Sequence, residues 1–160
     1  MYLVKASFIS ENPEAVIIDC RFDMSKPNQG YEAYIQDHIK GAFYIDVDKD
    51  LTSEILEHGG RHPLKDLDEF TEKIRSFGIA KDSEIVIYDD GQLAMASRLW
   101  FMLRLIGLEA YIVEGGYDLC KEILETTSDL PKKKYSDLKL DYQGQLICNK
   151  NDVIHAMTNE

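Results

Sequence analysis

Short β-branched runs alternate with apolar stripes of helical spacing along this chain, and one strand-helix pair is the clearest. Residues 85–87 read Ile-Val-Ile, which predicts a buried strand. A helix is predicted next by apolar positions at helical spacing, namely Ala96, Leu99, Trp100, Leu103 and Ile106. The loop between them, residues 89–93, ends on a helix N-terminus, where unpaired N–H groups and the positive end of the helix dipole collect. This order of elements predicts an anion pocket.

The same patterns predict a sheet made mainly of parallel strands. Strands are predicted over residues 16–19, 42–46 and 111–113, and helices over residues 31–38 and 117–124. A further helix is predicted after Asp66, because Asp66 and Glu69 have capping-box spacing, and Gly78 predicts its end. Alternating strands and helices predict an α/β fold with an open, mainly parallel sheet and helices on both faces.

The C-terminal part of the chain has a different composition. Residues 1–125 fit one domain, and the polar stretch 126–144, with the basic run 132–134, predicts a solvated linker. Residues 145–148 and 152–157 then restart a strand-then-helix pattern, which predicts that a second domain begins at 145–160 and is truncated. We therefore expect the chain to be a fragment of a longer protein.

Charge and cysteine content narrow the class of protein. The net charge of -11 argues against binding to nucleic acid or to an anionic membrane surface. No leader pattern and no apolar stretch near the ~20 residues of a spanning helix is present, which predicts a cytoplasmic protein. Cys20, Cys120 and Cys148 lie far apart without a Cys-x-x-Cys pair, so neither a disulfide framework nor a zinc site is expected.

Several motifs, in order along the chain, resemble the rhodanese family, and specifically the first domain of its two-domain sulfurtransferases. They are Val16-Ile-Ile-Asp-Cys-Arg21, His38-Ile-Lys-Gly-Ala42, Gly59-Gly-Arg-His-Pro-Leu64, Ile87-Tyr-Asp-Asp-Gly91 with Ala96-Ser-Arg-Leu-Trp100, and Val113-Glu-Gly-Gly-Tyr117. The resemblance implies a rhodanese-like sheet. It also implies a parent enzyme that moves sulfane sulfur from thiosulfate or mercaptopyruvate to cyanide or a thiol, without a cofactor.

The loop that carries the family's catalytic cysteine has no cysteine here. Asp89 or Asp90 takes the corresponding position, and a carboxylate carries no sulfur, so the degenerate loop Asp89, Asp90, Gly91, Gln92 gives this chain no catalytic residue. We expect the loop to be filled by its own side chain, which would repel a second anion. Two interpretations stay open: an aspartate caps the following helix, or it faces the active site of a partner.

Other candidate residues also have two interpretations each. Arg21 follows a strand and either reaches a cleft at the carboxyl edge of the sheet or pairs with Asp19 or Asp23. Arg61 and His62 either lie at a domain interface or belong to a surface loop. Buried packing is expected for Cys20 and Cys120, a structural role for His38, and no metal site.

Two functions follow from these observations. In the first, the chain is the noncatalytic first domain of a sulfurtransferase, with the second rhodanese domain of the same parent chain as its partner. The parent would act on a small sulfur-containing anion. In the second, the chain is a standalone noncatalytic rhodanese-like module for binding or regulation.

Overall fold

Five parallel strands form the central sheet of the computed structural model, which describes residues 2–26, 28–57, 60–132 and 134–158. The sheet strands are β1 (Leu3–Val4), β2 (Val16–Asp19), β4 (Phe43–Tyr44), β5 (Ile85–Tyr88) and β6 (Tyr111–Val113), in the order β1-β6-β5-β2-β4. Two short strands, β3 (His38–Ile39) and β7 (Thr126–Thr127), pair antiparallel in a separate sheet. In the register of the central strands, Ile87 lies between Ile18 and Ile112.

Helices pack on both faces of this sheet, as the sequence predicts. They are α1 (Ser7–Glu11), α2 (Gln29–Gln36), α3 (Val47–Asp50), α4 (Leu67–Arg75), α5 (Ala94–Leu105), α6 (Gly116–Lys121) and α7 (Lys150–Thr158), with a 3₁₀ helix at Gly144–Leu146. Ile85 and Ile87 pack with residues of α4 and α5, whereas Val86 and Tyr88 pack with residues of α1 and α6. Because successive strand residues point to opposite faces, β5 is buried on both sides. The α/β prediction is confirmed.

Helix α4 begins where the capping box places it. The Asp66 carboxylate accepts hydrogen bonds from the backbone N–H groups of Asp68 and Glu69 at 3.0 and 3.1 Å. The helix ends at Arg75, and Gly78 follows in a left-handed conformation with φ of +79°. Local sequence was sufficient here because cap and stop signals act within one turn of the helix.

The helix predicted over residues 31–38 is present, but it begins and ends two residues earlier, at Gln29–Gln36. Helix α2 ends at Gln36, because Asp37 is extended and His38 pairs with Thr127 in the small sheet. The His38 ring is fully buried, and its Nδ1 lies 2.7 Å from the Tyr34 carbonyl oxygen. The Nδ1 contact fits the structural role expected for His38, whereas the buried Nε2 has no hydrogen-bond partner among the described residues, so that role stays a prediction. His38 lies two residues beyond the end of α2, since a strand far along the chain pairs with it.

Part of the predicted linker packs against the domain. We call residues 134–143 the strap. The Ser136 N–H donates to the Arg75 carbonyl at 3.1 Å, and the Gln143 N–H donates to the Leu105 carbonyl at 2.8 Å. Leu138 is only 3% exposed and joins the core. The division into a domain, a linker and a second domain stays a prediction, and Lys133, Asn159 and Glu160 lie outside the described residues.

The strand predicted at residues 145–148 is wrong, whereas the helix predicted after it is present. Gly144–Leu146 forms a 3₁₀ helix, and no described strand pairs with this segment. A strand needs such a partner for its backbone hydrogen bonds. Helix α7 follows, with every residue exposed. Within the described parts of the chain, the helices are all too short or too polar to cross a membrane.

Candidate functional site

The loop after β5 holds its own carboxylate against the start of α5. Asp89 is 1% exposed, and its Oδ1 accepts hydrogen bonds from the backbone N–H groups of Gly91 at 2.8 Å and Leu93 at 3.3 Å. Its Oδ2 accepts from the N–H of Ala96 at 3.3 Å. We call these three N–H groups the Asp89 cradle. A carboxylate at this place satisfies unpaired donors and interacts favourably with the helix dipole, so Asp89 caps α5.

The second aspartate of the loop lies outside this cradle. Asp90 is exposed, and among the described residues its carboxylate accepts only from Gln92, through the backbone N–H and through Nε2, both at 3.3 Å. The two aspartates therefore differ in environment although they are adjacent. Asp89 is the one whose carboxylate binds the N–H groups at the start of α5, which is where a helix N-terminus favours an anion.

The glycine turn after β6 holds the loop in place. The Tyr117 N–H donates to the Asp89 carbonyl oxygen at 2.8 Å. A Cβ atom at Gly116 would lie 2.4 Å from that oxygen and 2.4 Å from the Gly91 nitrogen, and φ at Gly116 is +60°. Leu93 is left-handed as well, with φ of 65°, which is unfavourable for a residue with a Cβ. Only glycine fits at residue 116 without displacing the loop.

Arg21 forms an ion pair with Asp19, which is one of the two interpretations that the sequence left open. The Arg21 Nη2 lies 2.7 Å from Asp19 Oδ2 and also donates to the Asp37 carbonyl at 2.7 Å. Its guanidinium carbon is 3.9 Å from the centre of the Tyr117 ring, in a cation–π contact. Burial raises the pKa of the Asp19 carboxyl, and the hydrogen bonds from Arg21 and Tyr88 act in the opposite direction.

Two tyrosine hydroxyls also donate hydrogen bonds to Asp19 and Asp37, so that these residues form a network with Arg21. The sequence did not predict this role for either tyrosine. The Tyr88 hydroxyl donates to Asp19 Oδ2 at 2.8 Å, and the Tyr117 hydroxyl donates to Asp37 Oδ2 at 2.6 Å. Burial raises the pKa of Tyr117 to about 12. The partners are 69 and 80 residues apart, so hydrophobic periodicity gives no sign of them. Their places, at a strand end and directly after the glycine turn, were the available signals.

A pocket of about 470 Å³ lies beside this network at the carboxyl edge of the sheet. We call it the carboxyl-edge pocket. Its lining residues are Arg21, Phe22, Asp23, Met24, Gln29, Gly30, Ala33, Asp90, Gln92, Ala94 and Met95. The structure thus brings together Arg21, Asp90 and Gln92 from the predicted set, in the place where parallel sheets bind ligands. Asp89 is not among the lining residues, because its carboxylate is bound in the Asp89 cradle.

Arg61 and His62 lie beside this pocket and do not line it. Arg61 Nη2 donates to the carbonyl of Met24 at 3.3 Å, and the His62 ring centre is 6.4 Å from that of Phe22. His62 Nδ1 is 3.8 Å from Asp48 Oδ1, and neither ring nitrogen has a hydrogen-bond partner among the described residues. Gly59, the first residue of this motif, lies outside the described residues.

Arg98 anchors the segment that carries His62, a role that sequence reasoning missed. Its Nη2 donates to the carbonyls of Leu51 at 2.7 Å, His62 at 3.0 Å and Pro63 at 3.1 Å. Arg98 is on the second turn of α5, so one side chain connects the helix after the Asp89 loop to the neighbouring segment. The spacing within α5 does not reveal contacts to backbone carbonyls more than 30 residues away.

The two buried cysteines are not arranged as nucleophiles. Cys20 and Cys120 are buried and Cys148 is exposed. Burial, together with the charge of Asp19, raises the pKa of the Cys20 thiol well above its usual value and that of Cys120 to about 12. A thiol in such surroundings stays protonated and unreactive. In the part of the chain that the structure describes, no group of His, Cys, Asp and Glu side chains could hold a metal ion.

Comparison with known proteins places this architecture in a family. The family model of the rhodanese-like domain matches residues 5–122. A probable 3-mercaptopyruvate sulfurtransferase of Pseudomonas aeruginosa is 38% identical over 114 residues, which cover 69% of this chain and 40% of that protein. A putative thiosulfate sulfurtransferase of Mycobacterium tuberculosis is 31% identical over 112 residues, covering 69% of this chain and 39% of that protein.

A solved structure is also similar to this chain over most of its length. The 3-mercaptopyruvate sulfurtransferase from Leishmania major is similar with a TM-score of 0.77 and 32% identity, covering 88% of this chain and 41% of that chain. The present chain therefore spans well under two thirds of the length of these relatives, and it matches their N-terminal half. With a family model over most of its length, this chain belongs to the rhodanese family.

Proposed function

We propose that this chain is the noncatalytic N-terminal domain of a two-domain sulfurtransferase. The parent enzyme would take sulfane sulfur from thiosulfate or mercaptopyruvate and pass it to cyanide or a thiol. The sulfur carrier would be a cysteine of the second rhodanese domain, which forms a persulfide and is then restored by the acceptor. The present chain would form one wall of the cleft between the two domains, at its carboxyl-edge pocket.

The observation that carries the noncatalytic role in this proposal is the filled Asp89 cradle, whereas the two-domain parent is supported by relatives of which the match covers only about 40%. Sulfur transfer through a persulfide needs a thiolate, and the loop offers a carboxylate that is already bound to three backbone N–H groups. The negative charge of Asp89 also opposes the entry of a second anion. The buried thiols of Cys20 and Cys120 do not substitute for the missing cysteine, because their raised pKa values keep them protonated.

A thiocyanate assay tests the inactivity of the chain. With thiosulfate and cyanide, or with mercaptopyruvate and a thiol, we expect no product above the buffer rate, while an active sulfurtransferase in the same buffer serves as the positive control. Mass spectrometry of the chain after donor treatment should show no sulfur adduct on Cys20. Turnover above the buffer rate, or an adduct on Cys20, would contradict the proposal.

The reading frame of the parent gene distinguishes the two candidate functions. A continuation of similar length that carries an Asp-x-Arg strand and a cysteine loop supports the two-domain enzyme. A stop near Glu160 supports a standalone binding or regulatory module, which the filled cradle would suit equally well. In that case the enzyme proposal fails and the module remains.

A further inference from the structure

The carboxyl-edge pocket carries negative charge, although anions are the substrates of the proposed enzyme. Asp23 and Asp90 both line the pocket. The Asp23 carboxylate accepts from the N–H and the hydroxyl of Ser25 at 2.7 and 2.6 Å, and Asp90 accepts from Gln92. Neither carboxylate has a basic group within 4.0 Å in the described ranges of the chain. Lys26 acts on Asp23 only from a greater distance, where it lowers the pKa less than the Ser25 hydrogen bonds do.

The arginine of the pocket does not balance these charges. Arg21 is paired with Asp19 at 2.7 Å and stacked on the Tyr117 ring at 3.9 Å, so its charge is already compensated inside the domain. Arg21 is also only 9% exposed, so little of its guanidinium surface is available to a ligand. The uncompensated charge at the pocket therefore comes from Asp23 and Asp90.

The rest of the lining suits the alkyl part of a long side chain. Phe22, Met24, Met95, Ala33 and Ala94 provide its apolar wall. Met24 is 53% exposed, so its flexible side chain is accessible to a ligand in the pocket. Methionine adapts to irregular shapes, and the stems of arginine and lysine pack readily on such surfaces while the charged end reaches acidic groups.

We propose that the carboxyl-edge pocket receives a basic side chain, of the arginine type, from the second rhodanese domain of the parent chain. This inference rests on the proposed function for the identity of its partner. The occupant is argued from charge complementarity and from the length of chain that lies beyond the match, since the match covers only 40% of the Pseudomonas aeruginosa relative. The volume of about 470 Å³ is within the range of ligand pockets. The pocket thus docks a domain and does not bind the sulfur donor.

A titration followed by nuclear magnetic resonance tests the preference for a cation. Three probes are added at constant ionic strength: N-acetyl-arginine amide, the neutral N-acetyl-citrulline amide of matched shape, and thiosulfate. The backbone amide signals of Gly30, Gln92 and Met95 report on the pocket. We expect saturable shifts with the arginine probe at millimolar concentration, and none with citrulline or thiosulfate.

Matched variants attribute the binding to the two carboxylates. Asp23→Asn with Asp90→Asn should weaken binding of the arginine probe roughly tenfold, because each exposed charge contact is worth roughly a factor of three. The exposed Asp129→Asn is the control and should bind as the wild type does. Both single variants are measured too, and the spectra themselves report folding. No saturable shift with the arginine probe, equal binding by the double variant, or preferential binding of thiosulfate would overturn the proposal.

The same titration of the two-domain parent protein tests which group occupies the pocket. There the pocket should already be filled, so the same three amides should not respond to the arginine probe. A response equal to that of the isolated chain would overturn the assignment to the second domain. A self-association of the isolated chain that the double variant abolishes in sedimentation experiments would assign the pocket to a second copy instead. Sulfur transfer by the isolated chain would contradict the proposed function and leave its titration with the arginine probe unchanged. A parent without a second domain would remove the proposed occupant but not the preference of the pocket for a cation, so the two proposals fail separately.

Discussion

The guanidinium carbon of Arg21 lies 3.9 Å from the centre of the Tyr117 ring, and this contact joins residues that are far apart in the sequence. Arg21 follows β2, whereas Tyr117 is in α6, directly after the glycine turn. The Tyr117 hydroxyl reaches Asp37 and its N–H reaches the Asp89 carbonyl. One residue therefore connects the ion pair of Arg21 to the loop that lacks the cysteine. The stability of this region should depend on it.

Tyr117→Phe tests the hydroxyl without removing the ring. We expect the free energy of unfolding in urea to fall by about 1 kcal/mol at neutral pH, because the hydrogen bond to the carboxylate of Asp37 is lost. The exposed Tyr135→Phe is the control and should not change stability. An equal loss in both variants would show that the Asp37 contact contributes nothing.

The same pair predicts a dependence on pH. The hydrogen bond from Tyr117 holds the pKa of the Asp37 carboxyl below its ordinary value of 3.8. A lowered pKa in the folded state stabilises the protein above the unfolded value, and this stabilisation is lost as pH falls through the folded value. The difference between wild type and Tyr117→Phe should therefore be largest near neutral pH and shrink below pH 3.8. A difference that grows in acid would contradict this.

Removing the Asp89 carboxylate should destabilise the domain. Asp89→Ala leaves three backbone N–H groups without their acceptor, and we expect a loss of about 1–3 kcal/mol in the free energy of unfolding. Asp90→Ala is the matched control and should have little effect, since that carboxylate is exposed. Sulfate should stabilise Asp89→Ala more than the wild type, because the emptied cradle offers its donors to an anion. Equal losses in the two alanine variants would exclude the cap.

The close approach of the glycine turn to the loop gives a steric prediction. Gly116→Ala would place a Cβ 2.4 Å from the Asp89 oxygen, in addition to its strain at φ of +60°, so we expect a loss of at least about 2 kcal/mol. Gly41→Ala isolates the backbone strain, because Gly41 has φ of +83° and no atom within 4 Å of the added Cβ. Its loss should be about 1 kcal/mol. Chemical denaturation of both variants separates the clash from the strain.

Local patterns predicted the elements around the loop, and long-range contacts decided the rest. Strand β5, helix α5 and the start of α4 follow from periodicity and from the Asp66 cap, which act within a few residues. The contacts of Tyr88, Tyr117 and Arg98 join residues more than 30 positions apart in the sequence. His38 and Thr127, which pair in the small sheet, are also more than 30 positions apart. The polar composition of the strap gave no sign that it packs on the domain, because its attachment depends on Leu138 and on backbone hydrogen bonds to Arg75 and Leu105, which composition does not reveal.

The thiols should react in an order set by their burial. A chromogenic disulfide reagent at mildly alkaline pH should modify Cys148 in the native chain and leave Cys20 and Cys120 unmodified. All three should react in urea. Fast modification of Cys20 in the native state would contradict its burial and its raised pKa, and would make this thiol a candidate sulfur carrier.

Leu138 tests whether the strap belongs to the folded domain. Its side chain is 3% exposed and packs in the cluster that covers one face of the sheet, so Leu138→Ala should cost about 2–4 kcal/mol in the free energy of unfolding. Leu130→Ala, at a position that is 59% exposed, is the matched control from the same polar stretch and should leave stability unchanged. If the strap were a solvated linker, both variants would behave like the wild type. A large loss for Leu138→Ala alone would mean that the domain needs residues beyond 125 to reach full stability, because the strap closes its core.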